Sequence, residues 1–256
     1  MRLKMKTTNK SILKSILLIL FIIGLSATLS FAQDHGQTLS ASNLKIFVQY
    51  KLAQAHLLNN DNIKVEVNGN NIILSGEVPT LNDKNQAEVE AQSVDENYMV
   101  ENNLKVEIPN IPDSELTQTI MDKIQSNLFY TIFDWLSVSS DNGVVILKGW
   151  VHLPWLKSQF QSEIEKIPGV KSVNNEMQNT FGPEDFGIRI ARLIYNNPMF
   201  HGLQYIKNPP IHIIVNNGRV ILEGYVKSQV QKDVAENLVR YRTDAFSVEN
   251  NLKIIS

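Results

Sequence analysis

Asn142-Gly143-Val144-Val145-Ile146-Leu147-Lys148-Gly149-Trp150-Val151 reads as a tight turn followed by a short strand closing on Gly-x-Val. The pattern recurs as Asn217-Gly218-Arg219-Val220-Ile221-Leu222-Glu223-Gly224-Tyr225-Val226, and more loosely as Gly69-Asn70-Asn71-Ile72-Ile73-Leu74-Ser75-Gly76-Glu77-Val78. Aligned on Gly76, Gly149 and Gly224, the copies stand 73 and 75 residues apart (149−76, 224−149). A second motif, Val-x-Asn, follows each glycine: Val100 with Asn102, Val173 with Asn175, Val248 with Asn250. Its valine lies 24 residues beyond the glycine in every copy (100−76, 173−149, 248−224). Two motifs held at one offset through three copies mark three tandem repeats of one small domain.

Working outward, each repeat carries the same order of patterns. Leu44, Phe47, Val48, Leu52, Ala55 and Leu58 recur at helical spacing, with Ser42 or Asn43 as the expected cap. Ile63, Val65 and Val67 alternate as in a half-buried strand, and an Asn/Gly-rich turn joins them to Ile72–Val78, a hairpin signal. A helix capped by Asn82 or Asp83 is expected over 84–94, then a strand over 100–108. The order helix, strand, strand, helix, strand returns in the other two repeats. In repeat 2 the expected spans are 113–127, 135–138, 144–151, 154–167 and 170–179. In repeat 3 they are 184–196, 211–215, 219–226, 228–241 and 247–254. Proline-bearing linkers at 109–112 and 181–183 separate the units. The expected organisation is a signal segment over 1–32 and domains over 40–109, 112–180 and 184–256. The fold class is α+β, each domain a three-stranded mixed sheet with two helices on one face.

In the second hairpin strand, Val145, Leu147, Gly149 and Val151 share one face, and Ile146, Lys148 and Trp150 the other. The first set is assigned to the core; its glycine implies close approach of a helix backbone. Val78, Val151 and Val226 close the three strands. Asn102, Asn175 and Asn250 are read as structural, bonding backbone where strands end.

Residues 1–32 have the form of a cleavable export signal: Arg2, Lys4, Lys6, Lys10 and Lys14, then an apolar run over 16–29, then Ser30-Phe31-Ala32 before Gln33. The rival is an uncleaved anchor, for which about 14 apolar residues are short. With no cysteine in the chain, disulfides, thiolate metal sites, cysteine nucleophiles and a lipid-modified cysteine are excluded. Beyond residue 32 the chain carries 19 basic and 26 acidic groups (24−5 and 26−0), a poor balance for nucleic acid. By unit, residues 33–111 hold 5 basic and 11 acidic groups, 112–183 hold 5 and 8, and 184–256 hold 9 and 7.

The repeat resembles the BON domain, named for bacterial osmotically induced and nodulation proteins. The resemblance rests on the turn-Val-x-Leu-x-Gly-x-Val strand, the following helix and the Val-x-Asn-x-Leu strand. It departs at Asn70, which replaces the turn glycine in repeat 1, and at Phe160, where the family's helix carries alanine as at Ala87 and Ala235. The resemblance implies a small α/β sandwich, a periplasmic setting reached by the cleaved signal, and a non-catalytic role at phospholipid or other envelope surfaces under osmotic stress.

Trp150, Trp155 and Leu156, with Tyr225 in repeat 3, are the candidate membrane or partner contact, because an indole suits the headgroup region. The alternatives are packing against a neighbouring repeat, or Trp155 stapling the start of its helix. Arg189, Arg192, Lys207, Arg219, Lys227, Lys232, Arg240 and Arg242 are basic in repeat 3, but scattered in sequence as a solvated surface would be. His35, His56, His152, His201 and His212 lack metal-site spacing; no cofactor and no catalytic constellation is expected. The partner is a phospholipid membrane surface or an envelope protein, the latter making the chain an adaptor or chaperone-like component. The sequence assigns no oligomeric state.

Overall fold

The computed structural model describes residues 40–255 except 59–61, 108, 110, 204, 205 and 207. The signal segment expected over 1–32 and Lys207 lie outside the described residues. Repeat 1 comprises α1 (Ala41–Gln54), β1 (Ile63–Asn68), β2 (Asn71–Val78), α2 (Leu81–Gln92) and β3 (Met99–Val106). Repeat 2 comprises α3 (Asp113–Ser126), β4 (Trp135–Asp141), β5 (Val144–Val151), α4 (Leu156–Ile164) and β6 (Ser172–Asn179). Repeat 3 comprises α5 (Glu184–Tyr195), β7 (Ile211–Asn216), β8 (Arg219–Val226), α6 (Gln229–Arg242), β9 (Ser247–Asn250) and β10 (Lys253–Ile254). The chain divides into two units, 40–76 with 87–103, and 77–86 with 104–255, so repeats 2 and 3 share the second.

Each sheet has the hairpin's second strand at its centre: β1-β2-β3, β4-β5-β6, and β7-β8 with β9 and β10 along the far edge of β8. The hairpin is antiparallel and the returning strand parallel, since a helix must carry the chain back across the sheet. The three domains are therefore α+β with mixed sheets, as the alternation implied. The single last strand expected in repeat 3 is interrupted at Asn251-Leu252, where the Leu252 N–H turns to Asn250 Oδ1 at 3.3 Å. Its register survives the break: Arg219↔Ser247 and Tyr225↔Lys253 keep one offset of 28 (247−219, 253−225).

The caps are not those expected. Ser40, not Ser42 or Asn43, opens α1 by accepting from the Asn43 N–H. Thr80, not Asn82 or Asp83, opens α2: its Oγ1 accepts from the Asp83 N–H at 3.1 Å and donates to the Asp83 carboxylate at 2.8 Å. Both are hydroxyls one turn before the donor they satisfy, the usual solution for orphaned N–H groups. In repeats 2 and 3 the hairpin turns place Asn142-Gly143 and Asn217-Gly218 at positive φ, as a two-residue primed turn demands.

The glycine of Gly-x-Val is required by a different neighbour from the helix first expected. Gly76, Gly149 and Gly224 have φ of +122°, +121° and +109°. A Cβ there would run into the carbonyl oxygens of Asn62, Trp135 and Pro210, the residues entering the paired strand. The constraint is thus hairpin backbone against hairpin backbone, and Gly76, Gly149 and Gly224 pair with Ile63, Leu136 and Ile211 across it.

Two distinct cores lie in the second unit. In repeat 2, Leu116, Ile120 and Ile124 of α3 and Leu156, Phe160 and Ile164 of α4 pack on Val145, Leu147 and Val151. In repeat 3, Ile190 and Ile194 of α5 and Ala235 and Val239 of α6 pack on Val220, Leu222 and Val226. In both, the two helices cover the same face of the central strand. Phe160, at the position that Ala235 holds in repeat 3, is itself buried in the repeat 2 core.

Repeats 2 and 3 are joined by more than their linker. The segment 130–135 of repeat 2 crosses to repeat 3, where Ile213 donates its N–H to Ile132 O at 2.7 Å. Ile132 and Phe133 pack against the core of repeat 3. Gly187 of α5 makes room for the Phe133 ring, which would stand 3.2 Å from an added Cβ. Trp135 and Tyr130 lie over His212 with ring centroids at 5.0 and 5.8 Å. Consequently β7 is buried from Ile211 through Val215 on both faces.

Candidate functional site

The exposed apolar surface of repeat 2 is built by the turn after α3. Helix α3 ends at Ser126, and Asn127 takes an extended conformation. The Asn127 side chain accepts from the Phe129 N–H at 2.9 Å, and its carbonyl accepts from the Tyr130 N–H at 3.2 Å. Tyr130 is buried and anchors the turn; burial pushes its phenol well above the ordinary range. Leu128 and Phe129 are left pointing outward, 90% and 50% exposed. Trp155, which precedes α4 and is 44% exposed, meets Phe129 edge-to-face at 4.9 Å. Leu128, Phe129 and Trp155 thus form an apolar tip.

Of the four contact residues expected from sequence, only Trp155 belongs to this tip. Leu156, its neighbour, is fully buried in the repeat 2 core and is removed from any contact surface. The reason is helical geometry: Leu156 begins α4 and points with Phe160 and Ile164 onto the sheet. Trp150 is half-buried and pairs in register with Trp135. Tyr225 keeps 38% exposure, but its ring lies 6.0 Å from that of Trp135, at the joint between repeats 2 and 3. Sequence reasoning missed Leu128 and Phe129. Their signal was two apolar residues directly after a helix-ending asparagine, outside any periodic pattern.

The asparagines tie strand to helix. Asn175 donates to Lys157 O at 3.0 Å and to Gln161 Oε1 at 3.1 Å; Asn250 donates to Lys232 O at 2.9 Å and to Glu236 Oε2 at 3.2 Å. Asn102 donates to Glu88 Oε2 at 3.0 Å. The acceptors are helix groups at matching offsets, so these side chains hold the second helix on the sheet; Asn250 also closes the end of β9, its Oδ1 accepting from the Leu252 N–H. The valines after the glycines, Val78, Val151 and Val226, are all buried.

At the joint, Asp134 is fully buried. Its carboxylate accepts from Thr131 N–H and Oγ1, from the His152 N–H, and from the His152 ring at 2.9 Å. His212 is also buried, and its Nδ1 has no hydrogen-bond partner. Burial pushes the His212 imidazole below its ordinary pKa, against the opposing pull of Asp134. Four donors on a buried carboxylate are what such a group needs to stay inside. The arrangement fastens segment 131–134 in place. Among the described residues no group of His, Cys, Asp or Glu could hold a metal ion. No described helix is long and apolar enough to cross a membrane.

The five arginines of repeat 3 fall in two sets. Arg219 pairs with Glu249, and Arg240 with Glu236; the Arg240 and Asn250 hydrogen bonds hold the Glu236 carboxyl below its usual range. Arg189, Arg192 and Arg242 instead line one groove between α5 and α6.

A family model described as BON domain matches residues 44–108, 112–179 and 200–256. No curated protein matches the chain. Among solved structures, the C-terminal domain of CdsD, the structural protein of the type III secretion system of Chlamydia trachomatis, is 14% identical. That match covers 85% of this chain and 100% of that one, at a TM-score of 0.22. A second CdsD structure is 14% identical over 83% of this chain and 92% of that one, at a TM-score of 0.25. Scores this low establish no shared arrangement.

Proposed function

The chain belongs to the BON domain family, and on that premise we propose that it is an exported, non-enzymatic protein that binds envelope surfaces, phospholipid foremost, in osmotic or envelope-stress adaptation. The observation that carries this reading is the tip formed by Leu128, Phe129 and Trp155. Leu128 and Phe129, turned outward beside a buried tyrosine, and Trp155 against Phe129 are unfavourable in water. Each contributes about 1.5–3 kcal/mol when it finds an apolar environment, and an indole beside them suits the headgroup boundary. A tandem chain also gains from linkage, since one engaged repeat raises the effective concentration of the next.

Vesicle flotation of the chain from Gln33 onward tests the reading. Substituting Leu128, Phe129 and Trp155 together by alanine is expected to weaken binding at least about tenfold, with unchanged circular dichroism. Equal flotation of both proteins removes the tip from the account. The same aromatic tip favours a second reading, an adaptor that docks an envelope protein, because exposed aromatics also anchor protein interfaces. That reading requires no flotation of the wild type and a tip-dependent partner in envelope extracts.

A further inference from the structure

Arg189 and Arg192 of α5 and Arg242 at the end of α6 line a groove of about 820 Å³, together with Phe186, Leu193 and Tyr241. In sequence they are spread over 54 positions (242−189); the packing of α5 beside α6 brings them to one place. Arg189 is already engaged: it stacks over the Phe186 ring at 5.2 Å and lies 3.9 Å from Asp185. Arg192 and Arg242 make no ion pair among the described residues, whereas nearby Arg240 is held by Glu236. Among the described residues Asp244 is the one carboxylate lining the groove, and repeat 3 is the one repeat whose basic residues outnumber its acidic ones, 9 to 7.

We infer that this groove binds a phosphate group carried on an apolar body, with Arg192 and Arg242 as the clamp. A guanidinium presents a planar fork that matches phosphate oxygens two at a time. Phe186 and Leu193 supply the apolar side, and Tyr241, 77% exposed, stands at the mouth. Both arginines sit in the last turns of their helices, where a cation offsets the helix terminus whether or not a ligand is present. That role explains each position singly but not why two unpaired arginines from separate helices share one groove. The phosphate chemistry stands on the groove alone; a membrane as its source rests on the function proposed above.

The test uses the chain from Gln33 onward with three probes: vesicles of phosphatidylglycerol in phosphatidylcholine, a short-chain phosphatidylglycerol below its micelle concentration, and inorganic phosphate. Each is measured at low and high salt. Arg192→Gln and Arg242→Gln are each expected to weaken binding about fivefold, and the double variant about 30-fold. Arg240→Gln, whose arginine is paired outside the groove, is expected to change it less than about twofold. If the wild type floats and the double variant floats equally, the groove is not the site while envelope binding stands. If vesicles fail but a soluble probe binds and is lost in the double variant, the groove stands as a site for soluble phosphate esters and membrane binding falls. If no probe binds the wild type, the inference is overturned.

Discussion

At the scale of a residue, the glycine of Gly-x-Val decides most. Gly149 combines a left-handed backbone with a carbonyl oxygen, that of Trp135, occupying the place of a Cβ. Gly149→Ala is therefore expected to cost about 3 kcal/mol or more in urea unfolding, strain and collision together. Gly69→Ala is the control: its φ is +58° but nothing lies within 4 Å, so about 1 kcal/mol is expected. A result in which the two substitutions cost the same would refute the collision. The sequence marked these glycines as special but pointed to the wrong neighbour. Spacing shows that a side chain is missing; it does not show which backbone has taken its space. The asparagines are a parallel case, legible as structural while their helix acceptors, 14 and 18 residues upstream, were not.

Between elements, the junction of α3 with the β4–β5 turn is held by a charge. Asp113, in the first helical turn, accepts from the N–H groups of Asn142 at 2.8 Å and Gly143 at 3.2 Å. These two bonds hold its carboxyl below the usual carboxylate range. A carboxyl with a depressed folded pKa adds stability above its unfolded pKa and loses it as pH falls through the folded value. Thermal unfolding from neutral pH into the acid range is expected to show that loss for the wild type and a flatter profile for Asp113→Asn. Parallel profiles would detach the carboxylate from the turn. Element order and strand spans were legible because alternation and Asn-Gly turns are local. The starts of α1 and α2 were misplaced because the capping hydroxyls, Ser40 and Thr80, lie just outside the periodic segments that drew attention, whereas α3 and α5 begin at 113 and 184 as expected.

For repeats 2 and 3 as a body, the decisive feature is segment 130–135 laid over β7. It could not be read from the sequence: Ile132 and Phe133 look like an ordinary apolar loop, and only the fold brings them to Gly187 and Ile213. It also brings one of the candidate contact residues to the joint. Trp150 and Tyr225 carry the same motif position, yet Tyr225 lies at the joint while Trp155 remains on an open tip. If Phe133 couples the two repeats, Phe133→Ala is expected to split one unfolding transition into two in calorimetry, repeat 3 melting first. A single transition merely shifted downward would place the coupling elsewhere. The same strap sets a rule for any cleavage of the chain. Cut free at residue 184, the last repeat would bare a strand reading Ile-His-Ile-Ile-Val with its hydrogen-bonding rim open, a template for self-stacking. Light scattering should find that fragment clumping while the piece beginning at residue 112 stays dispersed, so a protease nick near Pro183 would turn a dispersed chain into a seed.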